Sequence, residues 1–225
     1  MPDGHLSRRH ALATGLGAVL CLGVPRRAEA RSVPFDAAWE HLTFRRLTPN
    51  RFELRNSSLR VVADGSSSIL YRMLPAEFRA ATRASWSWQV ESSVPPSDLS
   101  QIGNDDRNLG VFFVSMSAQA AESVRPDSNL RRLMTNRSAR VLMYTWGGDG
   151  RIGAVVPSPH APDRLRNLVT RPAQTGRFSE SVDLDRDFTR VFGAPIERLV
   201  AVAVSSNSEN TPARVVAQVS DLSVS

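Results

Sequence analysis

Ala84-Ser85-Trp86-Ser87-Trp88-Gln89-Val90-Glu91 alternates without a fault. Successive side chains of an extended chain leave opposite faces, so Ala84, Trp86, Trp88 and Val90 share one side and Ser85, Ser87, Gln89 and Glu91 the other. The segment predicts a strand with one face on a core and one in water, which a second layer must cover. Downstream, Leu109–Met116 and Val141–Trp146 are apolar almost throughout and are expected as central strands covered on both faces. Upstream, Leu59–Ala63 and Ile69–Leu74 flank Asp64-Gly65-Ser66-Ser67-Ser68, a turn-rich stretch expected to close a hairpin. Segments 41–46 and 50–56, Asn167–Arg171, Arg177–Leu184, Leu199–Ser205 and Ala213–Val224 bring the set to about ten strands. Gly147-Gly148-Asp149-Gly150 is one of the tight turns between them.

Helices are minor. Residues 117–139, rich in Ser, Ala, Arg and Asn, read as an insertion with a short helix near Ala118–Ser123. Asp183 or Asp185 can cap another, running to Phe192 and stopped by Gly193-Ala194-Pro195. A βαβ fold would need long amphipathic helices between strands, and the pattern has none. The expected fold is all-β, a jelly-roll-like β-sandwich with one or two short helices, forming one domain over residues 31–225. Residues 31–40 read as a loosely held lead into it.

Residues 1–30 read as a cleaved export signal. Ser7-Arg8-Arg9-His10-Ala11-Leu12 opens a basic region, and Ala11 to Val24 is apolar but broken by Gly15, Gly17 and Gly23. Ala28-Glu29-Ala30 is a small-x-small cleavage site. The pattern is that of a twin-arginine signal, which carries proteins already folded, and it predicts a periplasmic location. The apolar stretch falls short of the ~20 residues that span a bilayer, so no membrane span is expected after cleavage. Leu20 precedes Cys21 where a lipid-attachment site wants a small residue.

Without that segment the chain has 24 basic and 20 acidic residues, and every basic one is arginine. They are scattered beyond pairs such as Arg45-Arg46 and Arg131-Arg132, whereas a nucleic-acid partner would require a dense patch or stripe. Cys21 is the only cysteine and leaves with the signal, so disulfides, iron–sulfur clusters and c-type haem are excluded. His41 and His160 are then the only imidazoles, too few for a multi-histidine zinc or copper site. No cofactor or metal is expected, with Ca²⁺ at a carboxylate loop as the alternative.

The order of short motifs resembles a bacterial exported family, domain of unknown function 3047. Trp86-Ser87-Trp88 comes first, then Asn104-Asp105-Asp106 before an apolar strand, then Leu142-Met143-Tyr144-Thr145-Trp146. Pro157-Ser158-Pro159, the Asp185–Gly193 segment and a final Val202–Thr211 run follow. The resemblance covers roughly residues 39–225 and implies a sandwich like those of carbohydrate-binding modules, with no established activity. It also implies Asp-x-Asp-Asn-Thr near the end, where this chain has Asn207-Ser208-Glu209-Asn210-Thr211. Asn207 and Glu209 thus stand where the resemblance implies a pair of aspartates.

Three groups of residues, and His160, are candidates for ligand binding. Trp86 with Trp88, and Tyr144 with Trp146, are two apart, so each pair could form a platform for sugar rings or else pack in the core. Asp105 and Asp106 could bind Ca²⁺, grip an internal arginine or hold a turn. Asn207, Glu209 and Asn210 offer planar amide and carboxylate groups suited to paired sugar hydroxyls, or they cap a tight connection. His160, in the Pro-rich run 157–163, is a surface residue or an acid–base group. No serine stands in a nucleophile elbow and no cysteine nucleophile remains. The expected function is a non-catalytic binding module for a glycan or other envelope ligand. The alternatives are a structural or assembly protein of the envelope and a carbohydrate-active enzyme using Asp105, Asp106 or Glu209.

Overall fold

The computed structural model describes residues 30–225, so the export signal read from the sequence lies outside the described residues except for Ala30. In chain order the strands are β1 (Arg31–Ser32), β2 (Glu40–Thr43), β3 (Arg51–Arg55), β4 (Ser58–Asp64), β5 (Ser67–Met73), β6 (Arg83–Ser92) and β7 (Arg107–Met116). They continue as β8 (Arg140–Gly147), β9 (Val155–Pro157), β10 (Leu165–Arg171), β11 (Gly176–Asp183), β12 (Arg198–Asn207) and β13 (Arg214–Val224). The α-helices are α1 (Ala118–Ala121), α2 (Leu130–Leu133) and α3 (Leu184–Phe192).

Two sheets stack face to face. The first runs β11-β6-β13-β4-β3, with β1 paired to the end of β13. The second runs β2-β5-β12-β7-β8-β10-β9. Neighbouring strands are antiparallel except β8 and β10, which are parallel. The chain switches sheet repeatedly, which is how a jelly roll is wound. One switch corrects the sequence reading: the turn at Gly65-Ser66 does not close a hairpin. It hands the chain from β4, in the first sheet, to β5, in the second. β4 already has β3 and β13 as partners, and β5 has β2 and β12, so neither has an edge left for the other.

The core between the sheets takes the alternating apolar residues of both. Trp86, Trp88, Tyr144 and Trp146 are at most 2% exposed. Their rings meet edge-on or tilted at 5.3–5.5 Å, with Phe113 and Phe178 completing the cluster. At these separations quadrupolar attraction adds to area burial. Residues 31–40 are not loose: Val33, Phe35 and Trp39 sink into this core, and Phe35 stacks on Trp39 at 5.0 Å. Three large apolar side chains within seven residues supply enough buried area to hold the segment down.

The second sheet is buried on its outer face as well. Phe112, Val114, Met143 and Ala203 face away from the first sheet and pack under the 117–139 insertion through Val124, Leu130 and Leu133. All of β7 is buried as a result. Helix α3 begins where expected, with Asp183 accepting the Arg186 amide at 3.0 Å, and ends at Gly193 in the left-handed conformation, φ +77°.

Candidate functional site

The described aromatic candidates do not reach solvent. Trp88 Nε1 donates to Glu180 (3.0 Å), Trp146 Nε1 to the Gln174 carbonyl (2.9 Å) and Tyr144 Oη to Asp187 (2.8 Å). Burial, then Asp187, pushes the Tyr144 hydroxyl pKa far up. The structure therefore selects core packing over a sugar platform for Trp86, Trp88, Tyr144 and Trp146, because the face of β6 and the face of β8 that carry them are turned toward each other between the two sheets.

The remaining candidates converge at one end of the second sheet. Arg107 opens β7 and Asn207 closes the neighbouring β12, and the two are register partners. Both ladders of β7 are irregular here, between Arg107 and Leu109 against β8 and between Ser205 and Asn207 on β12. Such bulges re-aim side chains. Asn108 is turned toward the first sheet's connections, accepting the Val94 amide (2.9 Å) and donating to Ser93 (3.0 Å). Arg107 instead reaches along the outer face to Ser205. Gly147 of β8, at φ +148°, lies opposite; a Cβ there would stand 2.8 Å from Arg107 Cβ, so glycine is what allows the approach.

Arg107 is only 8% exposed. Its Nη2 donates to Ser205 Oγ (3.1 Å) and its Nη1 to the Asp105 carbonyl (3.3 Å), with the Asp105 carboxylate at 3.9 Å. Burial pulls its pKa down, opposed by Asp105, Glu209 and Asp106. Its Nε has no partner. On the 206–211 stretch, which ends its partner strand and runs on beyond it, Ser206 Oγ, Asn207 Oδ1, Glu209 Oε2 and Thr211 Oγ1 are also buried and unmatched. These five atoms are one guanidinium N–H donor, two acceptors and two hydroxyls. Five of the seven such atoms among the described residues thus fall on Arg107 or the 206–211 stretch.

The acids divide their work. Asp106, fully buried, accepts the Asn210 backbone amide (3.2 Å) and Nδ2 (3.0 Å), fastening the 207–212 connection to β7. Asp105 accepts from His160 Nε2 at 3.1 Å. Burial works to raise the Asp105 pKa, but the His160 hydrogen bond and the Arg107 charge outweigh it and hold the carboxyl low. The hydrogen bond to Asp105 raises His160 in return. Glu209 accepts from Asn207 Nδ2 (3.3 Å) through one oxygen, and its pKa is pushed up, by burial first and then by the neighbouring Asp106 and Asp105. Asp105, Asp106, His160, Asn207, Glu209 and Asn210 are thus brought together.

Reading the sequence missed Arg107 as the hub. Its signal is a charge at the mouth of an otherwise unbroken apolar run, directly after two aspartates. Asn50 was also missed. It donates to the Ser206 carbonyl (2.7 Å) and accepts from Ser66 Oγ (2.8 Å), tying β5 and β12 together behind the site. Among the described residues no three His, Cys, Asp or Glu side chains converge to hold a metal. Nor is any described helix long and apolar enough to cross a membrane.

Residues 37–223 match the family described as protein of unknown function (DUF3047), and the chain belongs to that family. No curated protein matches the sequence. Among solved structures, the chain is similar to the xyloglucanase domain of NopAA, a type three effector from Sinorhizobium fredii, solved with cellobiose. That match has 11% identity and TM-score 0.44, over 83% of this chain and 92% of that one. It is similar to the family 11 xylanase from Neocallimastix patriciarum, with 10% identity and TM-score 0.39, over 87% and 94% of the two chains. The family 29 carbohydrate-binding module from Piromyces equi matches at 5% identity and TM-score 0.35, over 87% and 89%. The likeness is one of sandwich layout.

Proposed function

We propose that this DUF3047 member is a non-catalytic binding protein for a hydroxyl-rich ligand of the glycan class, exported folded to the periplasm by its twin-arginine signal. One observation carries the binding reading: a buried guanidinium whose Nε is unmatched, together with unmatched oxygens of Ser206, Asn207, Glu209 and Thr211 on the stretch that ends its register partner strand and runs on beyond it. A buried polar atom without a partner costs about 1–3 kcal/mol, so a cluster of them is retained against its own stability. The mixture of donors and acceptors suits neighbouring hydroxyls, which both donate and accept, better than an ion of one sign. The guanidinium and carboxylate planes are held by β7 and by the fastened 207–212 connection, so little ordering is needed on binding.

The test is a glycan array of the purified protein with and without Ca²⁺, followed by calorimetry on any hit. Binding that is independent of Ca²⁺ and falls at least about tenfold, ~1.4 kcal/mol, in Asn207→Ala and Glu209→Gln supports the reading. No binding in either condition overturns it. Export is tested separately: replacing Arg8-Arg9 with Lys-Lys should hold the protein in the cytoplasm.

One observation favours a hydrolytic reading of the same site. Glu209 is pushed up while Asp105 is held down, the split that separates an acid from a base in glycoside hydrolysis. Release of reducing ends from a bound glycan, lost in Glu209→Gln, would favour it over binding alone.

A further inference from the structure

At the other end of β7 the 117–139 insertion borders a half-open cavity of about 560 Å³, rimmed by exposed side chains. That lies within the ~300–1,000 Å³ of small-molecule sites. Its floor is apolar, made by Met116, Val124 and Leu133. Three charged residues line it: Arg125, Asp127 and Arg132. None of the three forms an ion pair among the described residues. The neighbouring Arg131 is spent elsewhere, donating to the Thr43 carbonyl at 2.9 Å. Arg125 is fixed by its Nη1, which donates to the Glu122 (2.6 Å) and Val124 (3.2 Å) carbonyls, leaving Nε and Nη2 to point elsewhere. The cavity therefore holds two guanidinium charges against one carboxylate.

The neutral lining has a distinct hydrogen-bonding pattern. Ser123 and Thr135 donate their hydroxyl protons to the Ala120 and Arg132 carbonyls (2.8 Å each) and keep their lone pairs free to accept. Asn129 and Asn136 use their side-chain oxygens on the amides of Arg131 and Ser138 (2.9 Å each), which leaves both NH₂ groups as donors. Acceptors and donors thus surround an apolar floor beneath an excess of one positive charge. A phosphate dianion would meet Asp127 with a second charge uncompensated, whereas a single carboxylate on a polyhydroxylated ring matches the count.

We propose that this cavity binds a carboxylate-bearing saccharide. The carboxylate sits between Arg125 and Arg132, the less polar ring face lies on Met116, Val124 and Leu133, and the hydroxyls meet Ser123, Thr135 and the two asparagine amides. The site is separate from the Arg107 cluster and does not rest on its proposed role.

Calorimetry of the purified protein with glucuronate tests this, with glucose and acetate as controls. Glucuronate should bind at least tenfold tighter than either control, and binding should weaken steeply at about 0.5 M salt, where charge interactions reach only a few ångströms. Arg132→Ala, whose guanidinium makes no hydrogen bond among the described residues, should cost at least fivefold with an unchanged melting temperature. Asp127→Asn should tighten binding a few-fold. The Asn207→Ala/Glu209→Gln double variant should bind glucuronate as the parent does, so failure at the Arg107 end and failure here are read separately. Equal binding of glucose, no binding of glucuronate, or an Arg132→Ala variant that binds like the parent overturns the proposal.

Discussion

The ring cluster around Trp86 and the polar cluster around Arg107 lie in one sandwich, the first between the sheets and the second on the outer face of the second sheet. They differ in how completely their polar atoms are matched. Between the sheets, Trp88, Tyr144 and Trp146 each find an acceptor, and only Trp86 Nε1 goes without. At the Arg107 end, five buried atoms of Arg107, Ser206, Asn207, Glu209 and Thr211 go unmatched. Burial with partners holds the fold together; burial without them weakens it and readies a surface for something else. The aromatic residues, the more ligand-like by type, belong to the first kind.

The largest effect expected from this contrast is in the core. Trp88→Ala should lose about 3–5 kcal/mol in urea denaturation, through lost contacts and a cavity between the sheets. A loss below about 1 kcal/mol would break the comparison at its stronger end. Tyr144→Phe comes next. It strips a hydrogen bond from Asp187, which is 5% exposed and keeps only Arg186 at 3.1 Å, so a loss of about 1–3 kcal/mol is expected.

The two imidazoles sharpen the contrast in charge. His41, exposed overall but with its Nε2 against Ser68 Oγ, is lowered by partial desolvation, while His160 is raised by its hydrogen bond to Asp105. NMR titration should find His160 above the ordinary value of ~6.5 and His41 below it. The raised His160 stabilises below its unfolded pKa, and that contribution fades as pH rises through its folded one. The lowered Asp105 stabilises above its unfolded pKa and fades as pH falls through its folded one. The stability difference between the parent and His160→Gln should therefore be largest between pH ~4 and ~6.5. A difference that is flat with pH would show the pair to be idle.

The smallest effect has the opposite sign. Glu209 is raised by burial, so its favourable contribution belongs to acid pH and is lost as pH rises through its folded pKa. Glu209→Gln should leave stability at acid pH unchanged and raise the melting temperature slightly at neutral pH. A fall at neutral pH would mean that the carboxylate is better matched than the geometry shows.

Much of the architecture was legible in the sequence because its rules are local. The Trp86–Trp88 alternation, the unbroken apolar run of β7, the Asp183 cap and the Gly193 stop each depend on the period or dihedral preference of a few neighbouring residues. The turn at Gly65-Ser66 was legible as a turn but not as a change of sheet, since the partners that claim β4 and β5 lie far along the chain. The 31–40 lead misled for the same reason: its three anchors are buried by elements distant in sequence.

The sequence by itself determined a strand-rich sandwich without sulfur bridges, the membership of its alternating faces, and the residue types of a polar loop near its end. Only the tertiary structure decided that the tryptophans face inward between sheets and that Arg107 meets residues 205–211, about a hundred positions away. Alternation follows from the two-residue period of any extended backbone, whereas which face is covered, and which charge goes unmatched there, is set by long-range register between strands.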